Sequence, residues 1–181
     1  QHKRNNIRRS KICNKKLRLK AMNIFHLDKS PEVSALYHCD KHVVKMILET
    51  GQMLSTAYQR HCGIDEELYK PAYPHHPMTI WVGDSLGNYM WSMDLLGHLL
   101  NQYRHRYHNR IHKTGRILNN LICLNDKIKD KFEYQNFLIP PLCMPDEYKC
   151  DNYIQSYKDY YVGEKKRFAK YTSVDTPDFM C

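Results

Sequence analysis

No run of apolar residues in this chain approaches the ~18 needed to cross a bilayer, so no membrane span is expected. No acidic side chain occurs in the first twenty residues, which makes the opening stretch a block of one sign. No Gly-rich phosphate loop, dinucleotide fingerprint, Gly-x-Ser-x-Gly elbow or His-Glu-x-x-His is present, which removes the common nucleotide-binding, serine-hydrolase and zincin signatures. No Cys-x-x-Cys pair occurs either. The seven cysteines, at 13, 39, 62, 123, 143, 150 and 181, are odd in number, and their spacing suits neither a zinc ribbon nor a small disulfide scaffold. Free thiols in a reducing cytosol or nucleus are expected. Alternating strand patterns are scarce, so the fold class is mostly α.

What is present begins with charge. Lys3, Arg4, Arg8, Arg9, Lys11, Lys15, Lys16, Arg18 and Lys20 supply the whole formal charge of +9, leaving 19 basic and 19 acidic side chains in the rest. Such a block buries too little apolar surface to fold and reads as a solvated arm over residues 1–21, whose natural partners are polyanions. It lacks the apolar centre of a secretory signal, although an Arg-rich, acid-free start also suits a transit or nuclear-localisation segment. The remaining 22–181 suit one compact domain with a single core.

The segment Leu36-Tyr-His-Cys-Asp-Lys-His-Val-Val-Lys-Met-Ile-Leu-Glu49 sorts its groups when laid out as a helix. His38, His42, Lys45, Glu49 and Gln52 fall on one stripe and Leu36, Val43, Ile47 and Leu54 on the other side. Asp40 lands on the apolar side, where it is either a site acid or a core acid bonded to a Tyr or a backbone N–H. His38 and His42 are the only helix-compatible bidentate metal pair, Cys39 being about 100° round the helix from His38. Without a third ligand nearby, no metal and no cofactor are expected.

Along the chain, Met22–Leu27 reads as a strand or extended entry, and Ser30-Pro31 opens a helix expected to run to about Tyr58, with Gly51 a weak point or a close-packing contact. A stiff loop follows, containing Tyr69-Lys-Pro-Ala-Tyr-Pro-His-His-Pro77, either a binding wall or a connector. A second helix begins after Pro77, with Val82, Leu86, Tyr89, Met93, Leu96, Leu100 and Tyr103 inward. It runs into Arg104–Lys113, where three His and four Lys/Arg surround one Tyr. That stretch is either a polyanion contact or a solvated helix end favoured by the dipole. A third helix is expected from Arg116 to about Phe132, then a Pro-rich loop over 136–149. The last helix starts near Asp151 or Asn152 and carries Tyr153, Tyr157, Tyr160 and Tyr161, then Lys165 to Lys170. These tyrosines are expected half-buried with wet hydroxyls, or, for one or two of them, stacked on bases. The expectation is thus about four main helices.

Met22-Asn-Ile-Phe, Asp40-Lys-His-Val-Val-Lys-Met, His76-Pro77 followed by Trp81, Pro145-Asp-Glu-Tyr148 and Phe168-Ala-Lys together resemble a family of small proteins of tailed phages and large DNA viruses, over residues 22 to about 180. That family implies no particular activity. Three blocks in order are also similar to pyrimidine-dimer DNA glycosylases: the entry plus first helix, the His-Pro segment at His76, and Tyr157-Lys-Asp-Tyr-Tyr-Val-Gly-Glu-Lys165. This resemblance implies a small, helical, basic, metal-independent enzyme that flips a nucleotide and forms an imine with the sugar. In such glycosylases the nucleophile is the mature terminal amine and a Glu on the first helix assists. Here Met22 follows 21 residues, so that amine exists only if the arm is cleaved, and Lys41 or His42 stands at the assisting position.

The leading expectation is therefore a viral DNA-acting enzyme of glycosylase or lyase type. Lys41 or Lys45 supplies the amine, Asp40, His42 or Glu49 moves protons, and His38, His76, Trp81, Arg104, Arg106, His112, Lys113, Tyr161, Lys165 and Lys170 contact nucleic acid, DNA rather than RNA. The setting would be host cytoplasm, nucleus or virion. One rival is a non-enzymatic nucleic-acid-binding or packaging protein. Another is a metal-dependent nuclease built on His38, His42 and a loop histidine such as His76.

Overall fold

The first helix opens where the sequence says it should. Ser30 caps it, its hydroxyl accepting the Val33 N–H at 3.4 Å, and Pro31 occupies the first turn. In the computed structural model, which describes residues 22–181, this helix, α1 (Pro31–Tyr37), stops after two turns. His38 and Cys39 are extended, and a new helix, α2 (Asp40–Cys62), begins. One continuous helix to Tyr58 was expected, and neither Pro nor Gly marks the break. Groups from elsewhere make it: Arg106 donates to the carbonyls of Leu36 and His38 at 2.8 and 2.7 Å, and the Tyr161 hydroxyl accepts the Cys39 N–H at 2.9 Å. They satisfy the polar backbone atoms that continued helix would have paired. The break also turns Leu36 outward, where it is 38% exposed rather than inward-facing.

α2 ends at Gly63, whose φ of +88° suits glycine and few other residues. The second expected helix is likewise two, α3 (Pro77–Val82) and α4 (Leu86–Arg106). Here the sequence does carry the signal: Gly83 ends α3, and Ser85 caps α4 by accepting the Asn88 N–H at 3.0 Å. The third becomes α5 (Gly115–Cys123), α6 (Asn125–Ile128) and a 3₁₀ turn at Lys129–Lys131. The last, α7 (Tyr153–Lys165), starts at the expected place, Asn152 accepting the N–H groups of Ile154 and Gln155. Among the described residues no strand forms; Met22–Leu27 is buried and belongs to no helix or strand. The basic arm expected over 1–21 lies outside the described residues, as does Cys13. The six described cysteines are all free.

α2 is the central element, packed against α3, α4 and α5, while α1 lies on α4. Val43, Met46, Ile47, Met53 and Leu54 of α2 meet Tyr89, Leu95, Leu96 and Leu99 of α4 in one apolar core, each burial contributing roughly 1.5–3 kcal/mol. Gly51 is a close-packing contact, since a Cβ there would lie 2.5 Å from the Thr114 methyl group. Tyr157 and Tyr161 are fully buried, not half-wet, with their hydroxyls bonded to the Pro141 carbonyl (2.7 Å) and the Cys39 N–H. No helix among the described residues is long and apolar enough to cross a membrane.

Candidate functional site: cations and rings around Glu49

Three segments far apart in sequence converge on one face. The entry segment brings Asn23 and Phe25. Asn23 donates its backbone N–H to Glu49 Oε2 at 3.3 Å and its side-chain amide to the Cys143 carbonyl at 3.0 Å. The 3–4 spacing on α2 puts His42, Lys45 and Glu49 on one side, with Lys45 Nζ 3.3 Å from Glu49 Oε1. α7 and the 3₁₀ turn Lys166–Phe168 add Tyr160, Tyr161, Lys165, Arg167 and Phe168.

The rings interlock. Phe25 stacks on His42 (centroids 4.8 Å, planes 26° apart) and on Tyr160 (5.9 Å, 23°), while Tyr161 meets Phe25 edge-on at 5.2 Å. Cations lie over these rings: Lys165 Nζ is 4.7 Å from the Tyr160 centroid and 5.9 Å from that of Phe25. Lys41 Nζ and the Arg167 guanidinium sit 5.3 and 6.0 Å from the Phe168 centroid. The result is three cations over three rings, beside Lys45 and the nearly buried carboxylate it pairs with.

Electrostatics follow from burial. His42 is held down to about 2, first by burial and then by His38, Lys165 and Lys45, so its imidazole is neutral near pH 7. Its Nδ1 is buried without a partner among the described residues. The Lys165 amine is pulled below the usual lysine range by burial, opposed by Glu164 and assisted by Lys45 and Arg167. A neutral imidazole and an amine whose proton affinity is lowered by burial thus share one patch with Glu49.

Of the residues singled out from sequence, Lys41, His42, Lys45, Glu49 and Lys165 are brought together. Asp40 is not with them. It lies in the first turn of α2 rather than on an apolar face, and its carboxylate accepts from Arg106 at 3.2 Å and from the Thr172 hydroxyl at 2.7 Å. His38, Trp81, Arg106 and Tyr161 are inside the fold, out of reach of a polyanion. Trp81 donates to the Leu138 carbonyl at 2.9 Å. His38 donates from Nδ1 to the Ser34 carbonyl at 2.6 Å and is held down to about 4, mainly by burial. His76 caps α3, its Nδ1 accepting the Met78 N–H. Arg104 and Lys113 are exposed at the C-terminal end of α4 and in the loop beyond, where His112 is half-buried against Tyr103. Lys170 is exposed, and its carbonyl accepts the Asp40 N–H. Sequence reasoning missed Asn23, Phe25, Tyr160, Arg167 and Phe168 as site residues. No periodicity links them, and the only signals were the motifs Met22-Asn-Ile-Phe and Phe168-Ala-Lys.

Among the described residues no three His, Cys, Asp or Glu side chains are grouped to hold a metal ion. A second aromatic cluster surrounds His26, which stacks on Trp91 at 4.4 Å and meets Trp81 edge-on at 4.9 Å. An open groove of about 610 Å³ borders it, lined in part by Trp91, Phe137 and Tyr153. Comparison with protein-family models, with curated proteins and with solved structures finds no match to the chain.

Proposed function

We propose that the protein acts on DNA through the patch around Glu49, as an enzyme of glycosylase or abasic-site lyase type that works through an imine. The observation that carries this reading is that Lys41, Lys165 and Arg167 lie over Phe25, Tyr160 and Phe168, beside the Lys45–Glu49 pair. Cations alone would suit any polyanion. Ring faces beside them suit splayed bases, at ~1–3 kcal/mol per stacked base. Glu49 is placed to move protons, which a purely electrostatic surface does not require. The basic stretch 1–21 would add salt-sensitive, sequence-independent affinity, and the setting would be wherever viral DNA resides, in host cytoplasm, nucleus or virion.

A second source of amine is favoured by one contact. A chain cleaved before Met22 would carry its terminal amine next to Asn23, whose amide already donates to Glu49.

The test is incubation of the full chain with duplex and single-stranded DNA bearing abasic sites or pyrimidine dimers, in EDTA with borohydride. The expected result is a covalent protein–DNA adduct and, without borohydride, strand cleavage. Tight, salt-dependent binding with neither product would leave a non-enzymatic DNA-binding protein. Activity seen only when EDTA is omitted would point to a metal-dependent nuclease.

A further inference from the structure

We propose that in the uncleaved chain the imine-forming amine is Lys165, and that its substrate group is the ring-opened aldehyde of an abasic deoxyribose in DNA. This rests on the imine reading above and assigns its nucleophile. Three lysines of the patch compete for the role, and their surroundings separate them. Lys45 is tied to Glu49 at 3.3 Å, so its amine is engaged by a carboxylate rather than offered to a substrate. Lys41 is exposed, its amine over the ring of Phe168 at 5.3 Å from the centroid. Lys165 is half-buried, forms no ion pair among the described residues, and donates to the Tyr160 hydroxyl at 3.5 Å. Burial and the neighbouring charges of Lys45 and Arg167 lower its proton affinity, the arrangement by which amines are activated for imine formation.

The rings beneath Lys165 fit the same role. A face of Tyr160 at 4.7 Å and of Phe25 at 5.9 Å attracts a cation. The protonated imine keeps its positive charge on the same nitrogen, so the rings stabilise the product as they do the resting ammonium. The step balances without a further co-reactant. The lone pair of neutral Nζ attacks the aldehyde carbon, forming the C–N bond as the carbonyl π pair moves to oxygen. One proton from nitrogen and one from a general acid of the patch or from solvent reach that oxygen, which departs as water. The nitrogen lone pair then closes the protonated C=N bond.

The test uses the full chain and a duplex oligonucleotide with one abasic site, trapped with borohydride, digested, and mapped by mass spectrometry. The adduct is expected on Lys165, and trapping is expected to be lost in Lys165→Arg, which keeps the cation over Tyr160. Circular dichroism and binding to the same duplex check that this variant is folded and engaged. In the wild type the trapping rate should rise with pH and level off below the usual lysine range. An adduct on Lys41, Lys45 or a terminal amine, or undiminished trapping by Lys165→Arg, overturns the assignment and leaves the imine reading standing. No adduct on any residue of the wild type overturns both.

Discussion

Arg106 Nη1 and Asp40 Oδ1 meet at 3.2 Å across the break between α1 and α2, joining the last residue of α4 to the first of α2. The Arg106 side chain is fully buried, and the same guanidinium donates to the carbonyls of Leu36 and His38. Truncating it would remove the donor shared by two carbonyls and the guanidinium partner of a carboxylate that keeps its Thr172 donors. Arg106→Met is expected to lower stability by about 3–5 kcal/mol, as for one partner removed from a buried pair. Urea unfolding measures this, and a loss below about 1 kcal/mol would show that the break is held by other contacts.

Two glycines of α4 should respond to alanine in opposite directions. A Cβ on Gly87 would lie 2.3 Å from the Phe137 nitrogen and 2.5 Å from the Asn136 carbonyl carbon, backbone atoms that cannot rotate away. At Gly97 the nearest atom is a Leu118 methyl at 3.8 Å. Gly97→Ala should stabilise by roughly 0.5–1 kcal/mol through helix propensity. Gly87→Ala should cost about 1–3 kcal/mol from overpacking. Thermal melts of the pair check both signs.

Stability should fall as the medium is acidified from pH 6.5. Burial holds His26 to about 3, His38 to about 4 and His42 to about 2, so the folded state keeps the three rings neutral. The unfolded chain protonates them below about 6.5, and therefore binds more protons than the native state in that range. Each ring should remove about 1.4 kcal/mol per pH unit once pH is well below 6.5, until its folded value is approached. Denaturant titrations between pH 7 and 5 test the slope. His26 is the separable member, since neither of its ring nitrogens has a hydrogen-bond partner among the described residues and aromatic rings surround it. His26→Phe should flatten the slope by about one ring's worth without loss of stability at pH 7. An unchanged slope would mean that ring is not kept neutral.

Binding and chemistry should come apart at the patch. If Lys41 and Arg167 contact phosphates, each alanine variant should make the plot of log affinity against log salt shallower by about 0.9 on duplex DNA. Glu49→Gln keeps an oxygen to accept the Asn23 N–H, so it should bind nearly as the parent does while losing trapping and cleavage. Equal loss of affinity and trapping in Glu49→Gln would argue that the carboxylate holds the fold or the DNA rather than moving protons.

The sequence by itself determined what is encoded locally. Ser30-Pro31 and Asn152 start α1 and α7. Periodicity on α4 found Tyr89, Met93 and Leu96 as core residues, because a 3.6-residue repeat needs no knowledge of its partner. It placed His42, Lys45 and Glu49 on one side of a helix for the same reason. The break at His38–Cys39 was not legible, because its cause is Arg106 and Tyr161, 68 and 122 residues on from His38 and Cys39. Asp40 could not be located until that break was known. The cationic and aromatic patch was equally hidden, since Phe25 meets Tyr160 and His42 meets Phe168 only after α7 has docked on the entry segment and α2. Local propensity chooses the helices, but contacts between residues more than 100 apart have no local signature, and here those contacts bring Phe25 to Tyr160 and Lys165 and bring Phe168 to Lys41.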